Sequence, residues 1–422
     1  MTAAPPGTGR IAVVGASAAG LAAVETLRRT GWDGALTLVG DERHLPYDRP
    51  PLSKQVLSGA WEPERTALRS AEQLGTLDLD LRLGVRAERL TRAADGAGWR
   101  LALDDGTVLD CAGVVAATGV RARTLPGDGE ADVEGVHLLR TLDDALGLRA
   151  RLAGPGHRLV VVGTGVLGTE AAAVARESGH EVALVGPDAH PMARTLGEDT
   201  GRLLAEEHRR RGVALHTGSR VAAVLAERGR ATGVRLDDGT TLPAETVLVA
   251  VGSEPATGWL DGEDGLDLAD GIGCDAYCAA APGLYAAGDV ARWHHPVHGR
   301  ALRVEHRMNA TEQGMAAARN LLAELDGERF GARREFAPVP YFWSDQYALK
   351  IQAYGELAGD GAELLRLGED PLRAVALHGR DGLATGVVGV GLPPRVTRAL
   401  RGVVAAPLPW DEARGRVREV VG

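Results

Sequence analysis

The sequence predicts an α/β protein with two parallel-sheet units of one kind and a smaller third region, and three observations predict it. One template occurs twice: RIAVVGASAAGLAAVETLRRTG then ALTLVGDE from Arg10, and RLVVVGTGVLGTEAAAVARESG then EVALVGPD from Arg158. Each copy reads as a short apolar strand, a glycine-rich turn, an amphipathic helix stopped by glycine and a second apolar strand. The apolar runs are continuous rather than alternating, as strands buried on both faces of a parallel sheet require. The length, 422 residues, suits two or three domains, each large enough for its own core.

The glycines of each turn have a physical reason. A pyrophosphate must lie against backbone N–H groups at a helix N-terminus, where the dipole favours anions, and only small residues permit that approach. Gly163, Gly165 and Gly168 complete G-x-G-x-x-G; the first turn runs Gly15-Ala16-Ser17-Ala18-Ala19-Gly20, with a serine whose hydroxyl could itself reach phosphate. One such motif is a weak signal. Two in the same strand–turn–helix context give two Rossmann-like dinucleotide-binding domains, with Gly15, Ser17, Ala18, Gly20, Gly163, Gly165 and Gly168 as candidate contacts. VLDCAGVVAATG (108–119) and LPAETVLVAVGSEP (242–255) supply strands that return the chain between the two domains, ending at Thr118-Gly119 and Gly252. GLYAAGDVARW (283–293) then reads as a strand, Gly288, Asp289 and a helix start. That would set a carboxylate beside a helix N-terminus, suited to a polyol hydroxyl and a phosphate; an ordinary Asp cap reads the same way.

Composition excludes several classes. The net charge is −10 with acids and bases mixed, unlike a nucleic-acid binder with its basic stripe. The most basic run, HRRRG (208–212), reads as a solvated helix end capped by Gly212. Cys111, Cys274 and Cys278 are few and odd in number, which suits a reducing, cytoplasmic setting and no metal site. No apolar run approaches the ~20 residues of a membrane span, and MTAAPPGTG (1–9) lacks the apolar core of a signal peptide.

The chain resembles the FAD-dependent NAD(P)H:ferredoxin reductases of the putidaredoxin reductase and biphenyl dioxygenase reductase type, glutathione reductase-like flavoproteins without that enzyme's disulfide. The likeness covers nearly the whole chain and rests on GASAAG, LVGDERHLPYDRPPLSK, VVVGTGVLGTEAA, LYAAGDVARW, EHRMNATEQG and YFWSDQYALKIQ. It implies an FAD domain in two pieces (9–119 and 246–330), an NAD(P) domain (120–245) and a C-terminal α/β domain (331–422). It further implies that Lys54 lies by the flavin and pairs with Glu170, that Asp289 holds the ribityl chain, and that Asp41 or Glu42 meets the adenosine ribose. Arg49 is expected at the FAD phosphates and Trp343 near the flavin face. Lys54 follows Pro50-Pro51, which stiffen the loop, and a fixed ammonium stabilises an electron-rich reduced flavin; a surface lysine and a first-turn acid are the plain alternatives.

Two departures stand out. Where an acid usually ends the second strand to hold an NAD ribose, the chain has Gly186, with Asp188 two residues on and His190 and Arg194 nearby. This favours NADH on Asp188, with NADPH or dual use open. Where the resemblance leads to tryptophan in an EHW motif, the chain has Glu305-His306-Arg307; Arg307 either tunes the flavin or a partner contact, or merely fills space. PYDRPPLSK carries no cysteine, so electrons are expected to leave the flavin singly for an external [2Fe–2S] or other iron–sulfur ferredoxin, itself serving a P450 or ring-hydroxylating oxygenase. The run Arg292, His294, His295, His298, Arg300, Arg303 and Arg307 is the expected docking surface for that acidic partner, and Phe342, Trp343 and Tyr347 an aromatic cluster. A monomer or weak homodimer is expected. Direct reduction of a quinone, oxygen or pathway intermediate, and a non-catalytic FAD-binding role, are the alternatives.

Overall fold

A computed structural model of the protein describes residues 9–94, 96, 98–125 and 133–422, so residues 1–8 of the expected leader lie outside it. The chain divides into two compact units: residues up to Asp48 with Glu64–Arg121 and Glu254–Pro338, and Arg49–Pro63 with Ala122–Ser253 and Val339–Gly422.

The first unit is built on a six-stranded sheet in the order Ala279–Ala281, Leu284–Ala286, Gly113–Ala116, Ile11–Val14, Leu36–Gly40, Asp80–Leu83. All neighbours are parallel except the first pair. Ile11 and Val13 point into one core cluster and Ala12 and Val14 into another, which is why the run is apolar throughout. Burying each such branched side chain contributes roughly 1.5–3 kcal/mol. The helix Ala18–Thr30 lies against the helix Arg307–Leu325 at backbone distance: a Cβ on Gly314 would sit 2.2 Å from the carbonyl oxygen of Ala19.

The helix expected after Asp289 does not form. Gly288–Val290 makes one 3₁₀ turn, and the chain continues as the strand Ala291–His295, paired antiparallel with Arg300–Arg303. Trp293 and His295 face inward while Arg292 and His294 face outward, a period of two that overrides the local Gly-Asp signal.

The second unit repeats the plan with a five-stranded parallel sheet in the order Ala214–Thr217, Glu181–Gly186, Arg158–Val162, Thr246–Val249, Val136–His137. Thr246–Val249, which the sequence reading placed at the start of the returning segment, pairs with Arg158–Val162 and belongs to this sheet. Its four residues are all buried and continue the core of Val160, Val162 and Val185. From Tyr341 on, the chain folds as an antiparallel sheet, Tyr341–Gln346, Leu349–Gly355, Leu383–Val390, Ala374–Arg380 and Gly361–Arg366, with Leu408–Pro409 added at Leu383–Val390. Helices Pro394–Arg401 and Trp410–Val421 cover one face through Leu400, Ala413 and Val417. Ile351, Ala376 and Val388 on the other face pack on Met192, Leu196, Leu203 and Leu204, so the helix Glu198–Arg210 closes the second face. The C-terminal sheet thus shares a core with the second unit instead of standing alone.

This unit holds His137, His180, His208 and His378 with pKa values lowered from 6.5, in each case chiefly by burial. Unfolding returns each ring to its ordinary value, so the unfolded chain takes up protons first as pH falls. Stability is therefore complete above about pH 6.5 and is lost below it, at about 1.4 kcal/mol per pH unit for each fully buried ring that only the unfolded chain protonates. The melting temperature should fall steadily from pH 7 to pH 5, and His378→Gln should make the fall shallower. A flat profile over that range would show that these rings do not couple to folding.

Candidate cofactor sites and the Lys54–Glu170 pair

Both glycine-rich turns have the close approaches that their spacing requires. Gly15 and Gly163 take φ of 116° and 120°, and a Cβ on either would lie 2.1 Å from a carbonyl oxygen, that of Ala117 or Ala250. The third glycines touch the first: a Cβ on Gly20 would meet the Gly15 oxygen at 1.9 Å, and one on Gly168 the Gly163 oxygen at 2.0 Å. The middle position differs. Beyond its chain neighbours, no group among the described residues comes within 4 Å of a Cβ at Gly165, so the space before the helix Val166–Glu177 is open. At the matching place Ser17 caps Ala18–Thr30 without making a side-chain bond to the helix, which leaves its hydroxyl and the Ala18 N–H available to an anion. These are the features a dinucleotide pyrophosphate needs.

The strand ends share one constraint. A Cβ on Gly40 would lie 2.6 Å from the Ala16 side chain, and one on Gly186 would lie 2.5 Å from Thr164 Oγ1. The residue after the first glycine of each turn fills the space where an acid would stand, so the acids come later. Asp41 is exposed, and Glu42 accepts a 2.6 Å bond from the Tyr47 hydroxyl. Asp188, with its side chain 26% exposed, accepts a 2.5 Å bond from Arg194, 74% exposed.

The other expected residues have contacts of their own. Thr118 donates its hydroxyl to the Ala256 carbonyl (2.8 Å), and Gly119 and Gly252 take φ of 67° and 105°. Asp289 is half-buried on its 3₁₀ turn beside Gly288, whose N–H donates to Gln313 Oε1. Nearby, buried Asn309 Oδ1 has no hydrogen-bond partner among the described residues. Arg49 donates to the Arg140 carbonyl.

Lys54 lies on a single π-helical turn, Leu52–Val56, in which the Val56 N–H reaches back to the Pro51 carbonyl. Its ammonium donates to Glu170 Oε2 at 2.6 Å, with side chains 12% and 5% exposed. Glu170 occupies the fifth position of its helix, beyond the first turn, so the helix dipole does not explain the acid. Burial of such a pair is favourable only where the remaining lone pairs are satisfied. Ser53 donates to Oε2 at 2.6 Å, Ser344 to Oε1 at 2.8 Å and the Asp345 N–H to Oε1 at 3.4 Å. Sequence reasoning found the pair but not Ser53 or Ser344, although both lie inside the quoted motifs PPLSK and YFWSDQY.

Residues 9–314 match the pyridine nucleotide-disulphide oxidoreductase family, and 341–415 match the reductase C-terminal family. The chain belongs to the first of these, and to its ferredoxin reductase branch. It is 36% identical over 401 residues to the anthranilate 1,2-dioxygenase system ferredoxin–NAD(+) reductase component of Burkholderia cepacia, covering 94% of each chain. It is 38% identical to the p-cumate 2,3-dioxygenase system counterpart of Pseudomonas putida, covering 85% of this chain and 83% of that one. The reductase in the covalent putidaredoxin reductase–putidaredoxin complex superposes with a TM-score of 0.88 at 29% identity, covering 98% of both chains.

The disulphide in the family's description has no counterpart here. Cys111, Cys274 and Cys278 are free; burial pushes Cys111 and Cys274 up to about 12 and Cys278 well above its ordinary value. Such thiols stay protonated and inert. Arg307, where the resemblance leads to tryptophan, opens the helix Arg307–Leu325 and is held by Asp48 and by the Thr311 hydroxyl. It neither points outward nor stands as a free cation.

Several members of the basic run are paired or buried. Arg292 pairs with Asp267, and Arg303 with Asp270 (3.0 Å) and Glu305 (2.6 Å). His295 is buried, bonds the Pro338 carbonyl and has its pKa lowered by that burial. The expected aromatic cluster also separates. Phe342 packs on the Met192 core, Trp343 stacks on Tyr341 with ring centres 5.9 Å apart, and the Tyr347 hydroxyl bonds His208.

Removing one partner of a buried pair leaves an uncompensated charge, which costs about 3–5 kcal/mol. Glu170→Leu should lower unfolding stability by that amount, and the double change Lys54→Met, Glu170→Leu should recover most of it. Equal losses in the single and double variants, measured by urea unfolding, would show that the pair is not electrostatically coupled.

Proposed function

We propose that the protein is an FAD-dependent NADH:ferredoxin oxidoreductase that passes electrons singly to the iron–sulfur ferredoxin of an oxygenase system. The observation that carries this reading is the Lys54 ammonium, fixed by a π-turn on a buried, four-fold hydrogen-bonded Glu170 in a chain whose thiols are free and inert. The relatives support it: their names place them as ferredoxin–NAD(+) reductase components of dioxygenase systems.

The first turn, with Ser17, Ala18 and the helix N-terminus behind them, would hold the FAD pyrophosphate, with Asp289 near the ribityl chain and Asp41 or Glu42 near the ribose. Bound FAD supplies the chemistry: it accepts a hydride and releases electrons one at a time. Lys54 favours the accumulation of negative charge on reduction, and Glu170 fixes where that cation sits. Gly163, Gly165 and Gly168 give the nucleotide donor its pyrophosphate seat. Asp188 serves the ribose 2′-hydroxyl, with Arg194 as the cation that must swing aside. Trp343, half-buried and stacked on Tyr341, offers an aromatic face. The commitment of Arg307 to Asp48 and Thr311 counts against direct reduction of an anionic small molecule there.

Anaerobic titration of the yellow protein with NADH and with NADPH tests the reading. NADH should bleach the flavin band, and cytochrome c should be reduced quickly only when a [2Fe–2S] ferredoxin is added. Brisk NADH oxidation without ferredoxin would move the assignment to direct small-molecule reduction. Asp188→Ala should raise the NADH Michaelis constant about tenfold, the worth of one hydrogen bond to a charged group, and leave the constant for NADPH little changed. An unchanged NADH constant would remove Asp188 from the nucleotide site.

A further inference from the structure

Glu170 is the inner end of a longer chain of buried polar side chains. Ser344 Oγ, which donates to Glu170, lies 3.3 Å from Gln346 Nε2. The same Nε2 donates to Thr169 Oγ1 at 3.0 Å. Gln346 Oε1 lies 3.0 Å from His208 Nε2, and His208 Nδ1 lies 2.9 Å from the Tyr347 hydroxyl. Thr169, His208, Ser344 and Gln346 are all buried. Tyr347, half-buried at the hairpin turn with φ 57° and under the Arg211 guanidinium, is the outer end.

The direction of every bond follows from the donors and acceptors. Thr169 gives its hydrogen to the carbonyls of Gly165 and Val166, both at 2.9 Å, so toward Gln346 it can only accept. The Gln346 amide therefore turns its NH₂ to Thr169, Ser344 and the Met192 sulfur (3.1 Å) and its oxygen to His208. His208 must then carry its proton on Nε2, which leaves Nδ1 as acceptor for the Tyr347 hydroxyl. Burial, the main influence on His208, lowers its pKa and keeps the ring neutral as this arrangement needs. Ser344, accepting from Gln346, has its own hydrogen left for Glu170. All the bonds point one way, from Tyr347 to the carboxylate. An amide passes no proton, so the chain is a fixed array of dipoles and not a proton path.

A core that served stability alone could hold apolar side chains at 208 and 346, where Met192, Leu203, Leu204 and Leu349 already pack. We propose that Gln346, His208 and Tyr347 are positioning residues for the Lys54–Glu170 pair, holding the Ser344 hydroxyl on Glu170 and so fixing where the Lys54 ammonium stands toward the flavin. The proposal rests on the role given above to that pair. Sequence reading placed His208 in a solvated helix end. Its spacing from Thr200 and Leu204, four residues each, puts it on the buried face instead.

The test uses the holoenzyme in two readouts. In protein labelled with ¹⁵N-histidine, His208 should show the neutral Nε2–H tautomer at neutral pH and keep it in Tyr347→Phe, whereas Gln346→Leu should let the two tautomers average. An Nδ1–H or doubly protonated ring would reverse the derived direction and overturn the proposal. In rapid mixing with NADH, Gln346→Leu should slow the limiting rate of flavin reduction about tenfold, as misplacement of a group at the reacting centre does, with NADH affinity unchanged. Tyr347→Phe should slow it less. Neither change should slow it further in a Glu170→Gln background, because groups acting through one another are not additive. Thr385→Val, which removes a buried hydroxyl bond to the Glu356 carbonyl in the same sheet, controls for lost stability and should not slow reduction. Wild-type rates in Gln346→Leu and Tyr347→Phe beside a slow Glu170→Gln would overturn this inference alone, as would losses that add in full. A wild-type rate in Glu170→Gln would overturn the role of the pair and this inference with it. If Gln346→Leu does not fold, Tyr347→Phe decides.

Discussion

The ion pair between Lys54 and Glu170 sets the terms for the second unit. Two charges held away from water are unfavourable unless their geometry is good and every lone pair is met, and here the partners come from three stretches far apart in sequence: Ser53 and Lys54, Glu170, and Ser344 with Asp345. Each stretch is held by a different local device. Pro50-Pro51 and the π-turn stiffen the first. The contact of Gly168 with the Gly163 carbonyl fixes the start of the helix that carries the second. The antiparallel pairing of Tyr341–Gln346 with Leu349–Gly355 fixes the third. Arg49–Pro63 follows the first βαβ element in sequence but folds with the second unit, where its acidic partner is.

A second constraint is written twice. At the end of the second strand of both βαβ elements the chain has glycine, and in both the reason is the residue after the first glycine of the turn, Ala16 or Thr164, whose side chain leaves no room for a Cβ. What the sequence presents as a loss at Gly186 is a displacement. On the proposed function, Asp188, two residues on and paired with Arg194, takes the place of that acid. Gly40, followed by Asp41 and Glu42, is the same solution in the first unit.

The βαβ elements were legible because their signal is local: glycine spacing and unbroken apolar runs depend on neighbours in sequence. So was the pairing of Lys54 with Glu170, through the resemblance. What was misread depends on groups that sequence keeps apart. Gly288-Asp289 gives the same local cue before a helix or a 3₁₀ turn, and only the in–out alternation of Arg292, Trp293, His294 and His295 decides. The basic run through Arg303 does not show in sequence that Arg292 and Arg303 have counter-charges, because Asp267 and Asp270 arrive from another loop. His208 was lost among three arginines, although helical periodicity already set it inside.

Both cations that the resemblance sets near the flavin, Lys54 and Arg307, are paired with acids, Glu170 and Asp48. Neither pair brings net charge. What such a pair offers a bound cofactor is a dipole, whose effect depends on orientation and falls with distance faster than that of a lone ion. A free lysine could swing and still act as a charge; a neutralised one acts only if it is held. That is a physical reason for a protein to bury a fully hydrogen-bonded carboxylate beneath its lysine rather than leave the ammonium in solvent. It also bears on the absence of a dithiol. With its three thiols free and their pKa values raised by burial, this chain has no dithiol store for electrons beside its cofactor. On the proposed function, the charge that builds up on reduction must be tolerated where it arises until an outside acceptor takes it, and the fixed Lys54–Glu170 dipole is what tolerates it.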